Sequence, residues 1–123
     1  MQSLIVYVAG PYRADTIAGV RRNIERARAV AEELWAMGYP TICPHLNTAF
    51  MDGLAEDGDF LDGDLLILKR CDAVVLVDGY EDSIGAMAEV KCAAQRGLPI
   101  FANAFCVPDR PMPPSYLRRV GIL

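Results

Sequence analysis

The chain has 123 residues, 53% of them apolar and 23% charged, with ten glycines and eight prolines. That length fits one domain and that composition can bury a core, which excludes a disordered chain. A net charge of −4 opposes a nonspecific nucleic-acid binder, which carries a basic field. The single histidine, His45, excludes zinc sites built from several imidazoles.

Leu4 to Ala9 is an unbroken apolar run that stops at Gly10-Pro11, the pattern of a strand buried on both faces. The period then changes. Ile17, Val20, Ile24, Ala27, Ala31, Leu34 and Trp35 recur at helical spacing, with Asp15 or Thr16 to cap the start and Gly38 at the C′ position. Tyr39 to Cys43 predicts a short strand at a sheet edge, because Pro40 cannot donate to a ladder. Residues 45–58 are polar and predict a long loop, followed by a helix near 59–70. Ala73 to Val77 is a second fully buried strand, opened by Asp72 and stopped by Asp78-Gly79. A helix over 84–96, capped by Asp82 or Ser83 and closed by Gly97, leads to a strand over Leu98 to Ala102. Residues 103–123 hold prolines 108, 111, 113 and 114 and predict an extended Pro-rich arm, ordered only around Tyr116 to Leu123.

Strands alternating with helices predict a mostly parallel sheet with right-handed crossovers. The expected fold is a single α/β domain, a three-layer sandwich with a flavodoxin-like or Rossmann-like sheet of four to five strands. Ligands bind such sheets beyond the carboxyl ends of the strands, which selects Gly10 to Asp15, Asp78 to Gly85 and the loop after Cys43.

Charge is unevenly placed. Residues 51–82 hold ten acids against Lys69 and Arg70, and most of those carboxylates read as a solvated loop. Cys43, Cys71, Cys92 and Cys106 lack paired spacing and sit beside apolar neighbours, as reduced buried thiols do, so neither a redox motif nor a Cys3His zinc site is expected. The N-terminus lacks a basic region and a cleavage site, and no apolar run reaches the length of a membrane span. A cytoplasmic protein is expected, with no cofactor, no nucleic-acid partner and no membrane partner.

Gly10-Pro11-Tyr12-Arg13 turns sharply off the first strand. The glycine and proline serve the turn itself, whereas a guanidinium placed there suits an anion. Ser83-Ile84-Gly85-Ala86-Met87-Ala88-Glu89 is the sharper element. Ser83 can cap the helix and leave free amides as an anion site, and Gly85 and Glu89 share one face, so a ligand could lie over the glycine and reach the carboxylate. A plain cap, helix packing and a surface charge would explain the same three residues. Asp64, among Leu61, Leu65 and Leu68, is a second carboxylate that can face inward, with Asp59 and Asp62 as rivals. Two carboxyl groups around a sugar serve glycosidic cleavage. Tyr7 could hydrogen-bond one of them or simply pack in the core.

These residues resemble the nucleoside 2-deoxyribosyltransferase superfamily, in its small branch that includes the 2′-deoxynucleoside 5′-phosphate N-hydrolases. The resemblance rests on YVAGPYR at 7–13, DLLILKRCDAVVLVDGYEDS at 64–83, SIGAMAE at 83–89 and GLPIF at 97–101. It implies a flavodoxin-like fold, a homodimer or larger homo-oligomer, and a small-molecule nucleoside or nucleotide as substrate. By the same resemblance Glu89 is the nucleophile at C1′, Asp64 assists at the nucleobase, Ser83 holds a 5′-phosphate, and Tyr7 is the strand aromatic beside the nucleophile. The turn Gly10-Pro11-Tyr12-Arg13 departs from the small polar phosphate loop common in that branch. The expected function is cleavage of an N-glycosidic bond, by hydrolysis or transfer. The alternatives are a non-catalytic nucleotide-binding or sensor module using the same cleft, and an interaction protein that docks through its Pro-rich arm.

Overall fold

A computed structural model of the protein describes residues 4–108. Its centre is a pair of strands, β1 (Val6–Ala9) and β3 (Ala73–Leu76), in which every residue is buried. β1 pairs in parallel with both β3 and the two-residue edge strand β2 (Thr41–Ile42), and β3 pairs with β4 (Ile100–Phe101), giving the all-parallel order β2-β1-β3-β4. The expected α/β sandwich is what forms, with four strands among the described residues. Asp72 fixes the entry to the central pair: its carboxylate accepts the Ile5 amide at 2.8 Å and its own amide donates to the Ile5 carbonyl at 2.8 Å.

Successive strand residues point to opposite faces, so the sheet has two cores. Val6, Val8, Val75 and Val77 pack on Ala27, Ala31 and Leu34 of helix α1 (Ile17–Ala36). Tyr7, Ala9, Val74 and Leu76 pack on Leu68 and Cys71 and on Ala93. Leu68 ends helix α3 (Asp57–Leu68), and Ala93 belongs to α4 (Ile84–Gln95). The apolar stripe predicted for α1 is narrower than its sequence pattern. Ile17 is 73% exposed and Trp35 44%, since the sheet is too short to cover both ends of a 20-residue helix. Thr16 is the cap, accepting the Gly19 amide at 3.0 Å.

The loop predicted over 45–58 begins with a single helical turn, α2 (Pro44–Asn47), too short to show a period. α3 starts at Asp57, earlier than residue 59, because the Asp59 carboxylate turns back to accept the Glu56 amide at 3.3 Å. The predicted arm begins differently from expectation. Asn103 caps a 3-10 turn over Ala104–Cys106, and Ala104 and Val107 join the α1-side core. The rest of the arm, including Tyr116 to Leu123, lies outside the described residues. The thiols also divide: Cys43 and Cys71 are buried, but Cys92 is only half-buried and Cys106 is exposed on the 3-10 turn.

Candidate active site

The chain leaves β1 to build β2 on one side and later returns to build β3 on the other, so the carboxyl ends of β1 and β3 flank a topological switch point. A cleft of about 600 Å³ opens there. Its size suits a small-molecule ligand. Gly10, Pro11, Tyr12, Arg13, Asp64, Ser83, Gly85 and Glu89 all line it. Tyr7 lies beneath, fully buried in β1.

Each side chain is placed by its element. Glu89 sits on the second turn of α4, and the pleat that turns Tyr7 toward α4 brings the phenol to it. The Tyr7 hydroxyl donates to Glu89 Oε2. Glu89 is 6% exposed and lines the cleft, and among the described residues its other oxygen has no hydrogen-bond partner. Burial pushes the Glu89 carboxyl up to about 8, opposed by the Tyr7 hydrogen bond and reinforced by the charge of Asp64. Asp64, half-buried on α3, is raised by burial to about 6. The Tyr7 phenol is pushed well above its ordinary range by burial first and then by the neighbouring Glu89 charge. Asp59 and Asp62 are exposed on the same helix and do not line the cleft.

Ser83, rather than Asp82, caps α4, its Oγ accepting the Ala86 amide at 3.1 Å. Asp82 ends a 3-10 turn over Tyr80–Asp82. The two glycines of the site differ in kind. A Cβ on Gly10 would lie 2.5 Å from Val77 Cβ, so this glycine lets the ends of the two central strands converge. A Cβ on Gly85 would meet nothing within 4 Å, and the surface before Glu89 is therefore open.

Arg13 is not a free cation. Its guanidinium bonds Asp57, and it reaches Asp52 at 3.3 Å, while the Tyr12 hydroxyl donates to Asp52 at 2.9 Å and accepts the Phe50 amide at 3.0 Å. Asn23 donates to the Tyr12 carbonyl at 3.0 Å and to the Arg13 carbonyl at 3.3 Å, holding the turn from below. His45, 5% exposed, donates from Nε2 to the Pro11 carbonyl at 2.9 Å, and burial lowers its pKa toward the neutral ring. Its Nδ1 faces the Cys43 thiol at 4.0 Å, a thiol that burial raises to about 11. His45 is thus a brace for the turn.

Of the acidic block the sequence pattern singles out only Asp64, yet Asp52, Asp57 and Asp82 also line the cleft. Arg13 at a strand end, in need of a counterion, was the available signal for the first two. No group of three or more His, Cys, Asp or Glu able to hold a metal ion occurs among the described residues.

Residues 4–103 match the profile of a family described as a domain of unknown function (DUF7768), and the chain belongs to that family. In fold it is similar to the 2-deoxyribosyltransferase of the psychrotolerant bacterium Bacillus psychrosaccharolyticus, with a TM-score of 0.59, 18% identity, and 78% of this chain and 69% of that chain covered. At that identity the likeness is one of fold. No curated protein sequence matches the chain.

Proposed function

We propose that this member of the DUF7768 family cleaves the N-glycosidic bond of a nucleoside or nucleoside 5′-monophosphate through Glu89. The observation that carries the reading is the buried Glu89 carboxylate, which lines the cleft, is held by Tyr7 on one oxygen and has Asp64 beside it. The similar structure, a 2-deoxyribosyltransferase, supports the same chemistry.

The sugar lies over the open surface at Gly85, with C1′ toward the free oxygen of Glu89. Attack by that oxygen forms a glycosyl ester while the C1′–N bond breaks with its electron pair going to the base. Asp64 supplies or receives the proton exchanged with the base. Water, giving its proton to a carboxylate, then displaces Glu89 and completes hydrolysis; a second base in place of water completes transfer. Tyr7 is a positioning residue that orients the carboxylate and favours its charged form.

Glu89→Ala is expected to abolish base release, followed by chromatography, from a panel of nucleosides and their 5′-monophosphates, while leaving the circular dichroism of the fold intact. Unchanged turnover in that variant sinks the mechanism.

A further inference from the structure

We propose that the cleft selects N-glycosides whose base carries a positive charge, such as N7-alkylated purine or pyridinium glycosides, over neutral ones and over those bearing a phosphate. The proposal rests on the glycosidase reading and names its substrate class.

Five carboxylates line the cleft: Asp52, Asp57, Asp64, Asp82 and Glu89. Among the described residues they face one cation, Arg13, whose guanidinium is already bound to Asp52 and Asp57. Among the described residues an incoming phosphate therefore meets no unpaired cation in the lining, and Asp64, Asp82 and Glu89 have no positive partner. The Ser83 hydroxyl, a candidate phosphate ligand, lies next to Asp82 and already accepts the Ala86 amide.

Two further observations point to a ligand. Glu89 lines the cleft yet is nine-tenths buried, with a hydrogen bond to only one of its oxygens among the described residues, a costly arrangement that a cation relieves. Tyr12 and Phe60 add aromatic side chains to the walls, and aromatic faces together with carboxylates are a favourable setting for a delocalised cation.

The chemistry agrees. A cationic base leaves as a neutral molecule when the C1′–N bond breaks, so no proton has to be delivered to it. Asp64 can stay ionised, and the overall balance is cationic glycoside plus water giving free sugar, neutral base and one proton. A positive charge beside Glu89 also favours its ionised, nucleophilic form, which burial otherwise opposes.

The test uses the full chain with guanosine and 2′-deoxyguanosine, their N7-methyl derivatives and the 5′-monophosphates of each. Base release is read as kcat/KM divided by the uncatalysed rate. The N7-methyl nucleosides are expected to exceed their neutral parents by ~tenfold or more and the monophosphates by more again, with the preference narrowing as salt is raised. Equal or better use of the neutral parents or of the monophosphates, or a preference indifferent to salt, overturns the proposal and leaves the glycosidase reading standing. If no substrate is turned over, the glycosidase reading fails, and charge selection is judged separately by calorimetric titration. Tighter binding of 1-methylnicotinamide than of nicotinamide supports it, and equal binding overturns it.

Discussion

The Tyr7–Glu89 hydrogen bond joins the innermost strand to the proposed nucleophile, and its energetics set how much of that nucleophile is charged. Burial raises the carboxyl to about 8 against the opposing effect of the phenol. Hydrogen bonds to charged groups contribute about 1.5–3 kcal/mol, which corresponds to roughly 10–100-fold in an equilibrium or a rate. Tyr7→Phe removes the donor and little volume. It is expected to lower kcat at pH 7 by ~10–100-fold and to move the half-maximal point of the kcat–pH curve upward, because the unassisted carboxyl holds its proton to higher pH. Equal loss at every pH would mean that Tyr7 serves only to pack the core.

At the scale of elements, two turns and one helix end make the site, and their glycines separate fold from function. Gly10→Ala forces a Cβ against the Val77 side chain in a buried contact and is expected to destabilise the protein by about 1–3 kcal/mol, read by urea unfolding. Gly85→Leu enters open space. It is expected to leave the melting temperature near the parent value while raising KM, because its side chain fills the open surface proposed to carry the sugar. A loss of stability in Gly85→Leu, or an unaltered KM, would remove that glycine from the site. Much of this organisation was legible in the sequence. β1 and β3 are fully buried, and a continuous apolar run between breakers shows that directly. α2 was hidden because four residues display no period. The 3-10 turn at 104–106 was hidden because the proline content after it outweighed the local signals, an Asn103 cap and two small or branched side chains spaced to reach the core. Asp52 and Asp57 belong to an acidic block that reads as solvated loop, because sequence cannot show that a loop folds back over Arg13. That contact joins residues about forty positions apart.

For the whole molecule, a buried carboxyl in a cleft lined by α3 and α4 carries a thermodynamic cost that depends on pH. Glu89 titrates near 4.5 unfolded and near 8 folded, so the folded state holds the proton more tightly. Its contribution is therefore fully present below about pH 4.5 and is lost as pH rises toward 8, reaching a penalty on the order of 5 kcal/mol as an upper limit. Asp64 acts in the same direction between its ordinary value of 3.8 and about 6, more weakly because it is half exposed to solvent. Glu89→Gln keeps the acceptor for the Tyr7 hydroxyl and removes the ionisation. At pH 4.5 the amide and the protonated acid are nearly equivalent, so the two proteins should melt together. By pH 8.5 the amide should melt at least ~5 °C higher, since a penalty of a few kcal/mol moves a domain of this size by that much or more. Differential scanning calorimetry across that range checks it, and the same variant should release no base. A stability gap that does not widen with pH would mean that Glu89 is solvated in the native state, and a carboxylate free in water would lose the main physical reason for placing it at the centre of catalysis.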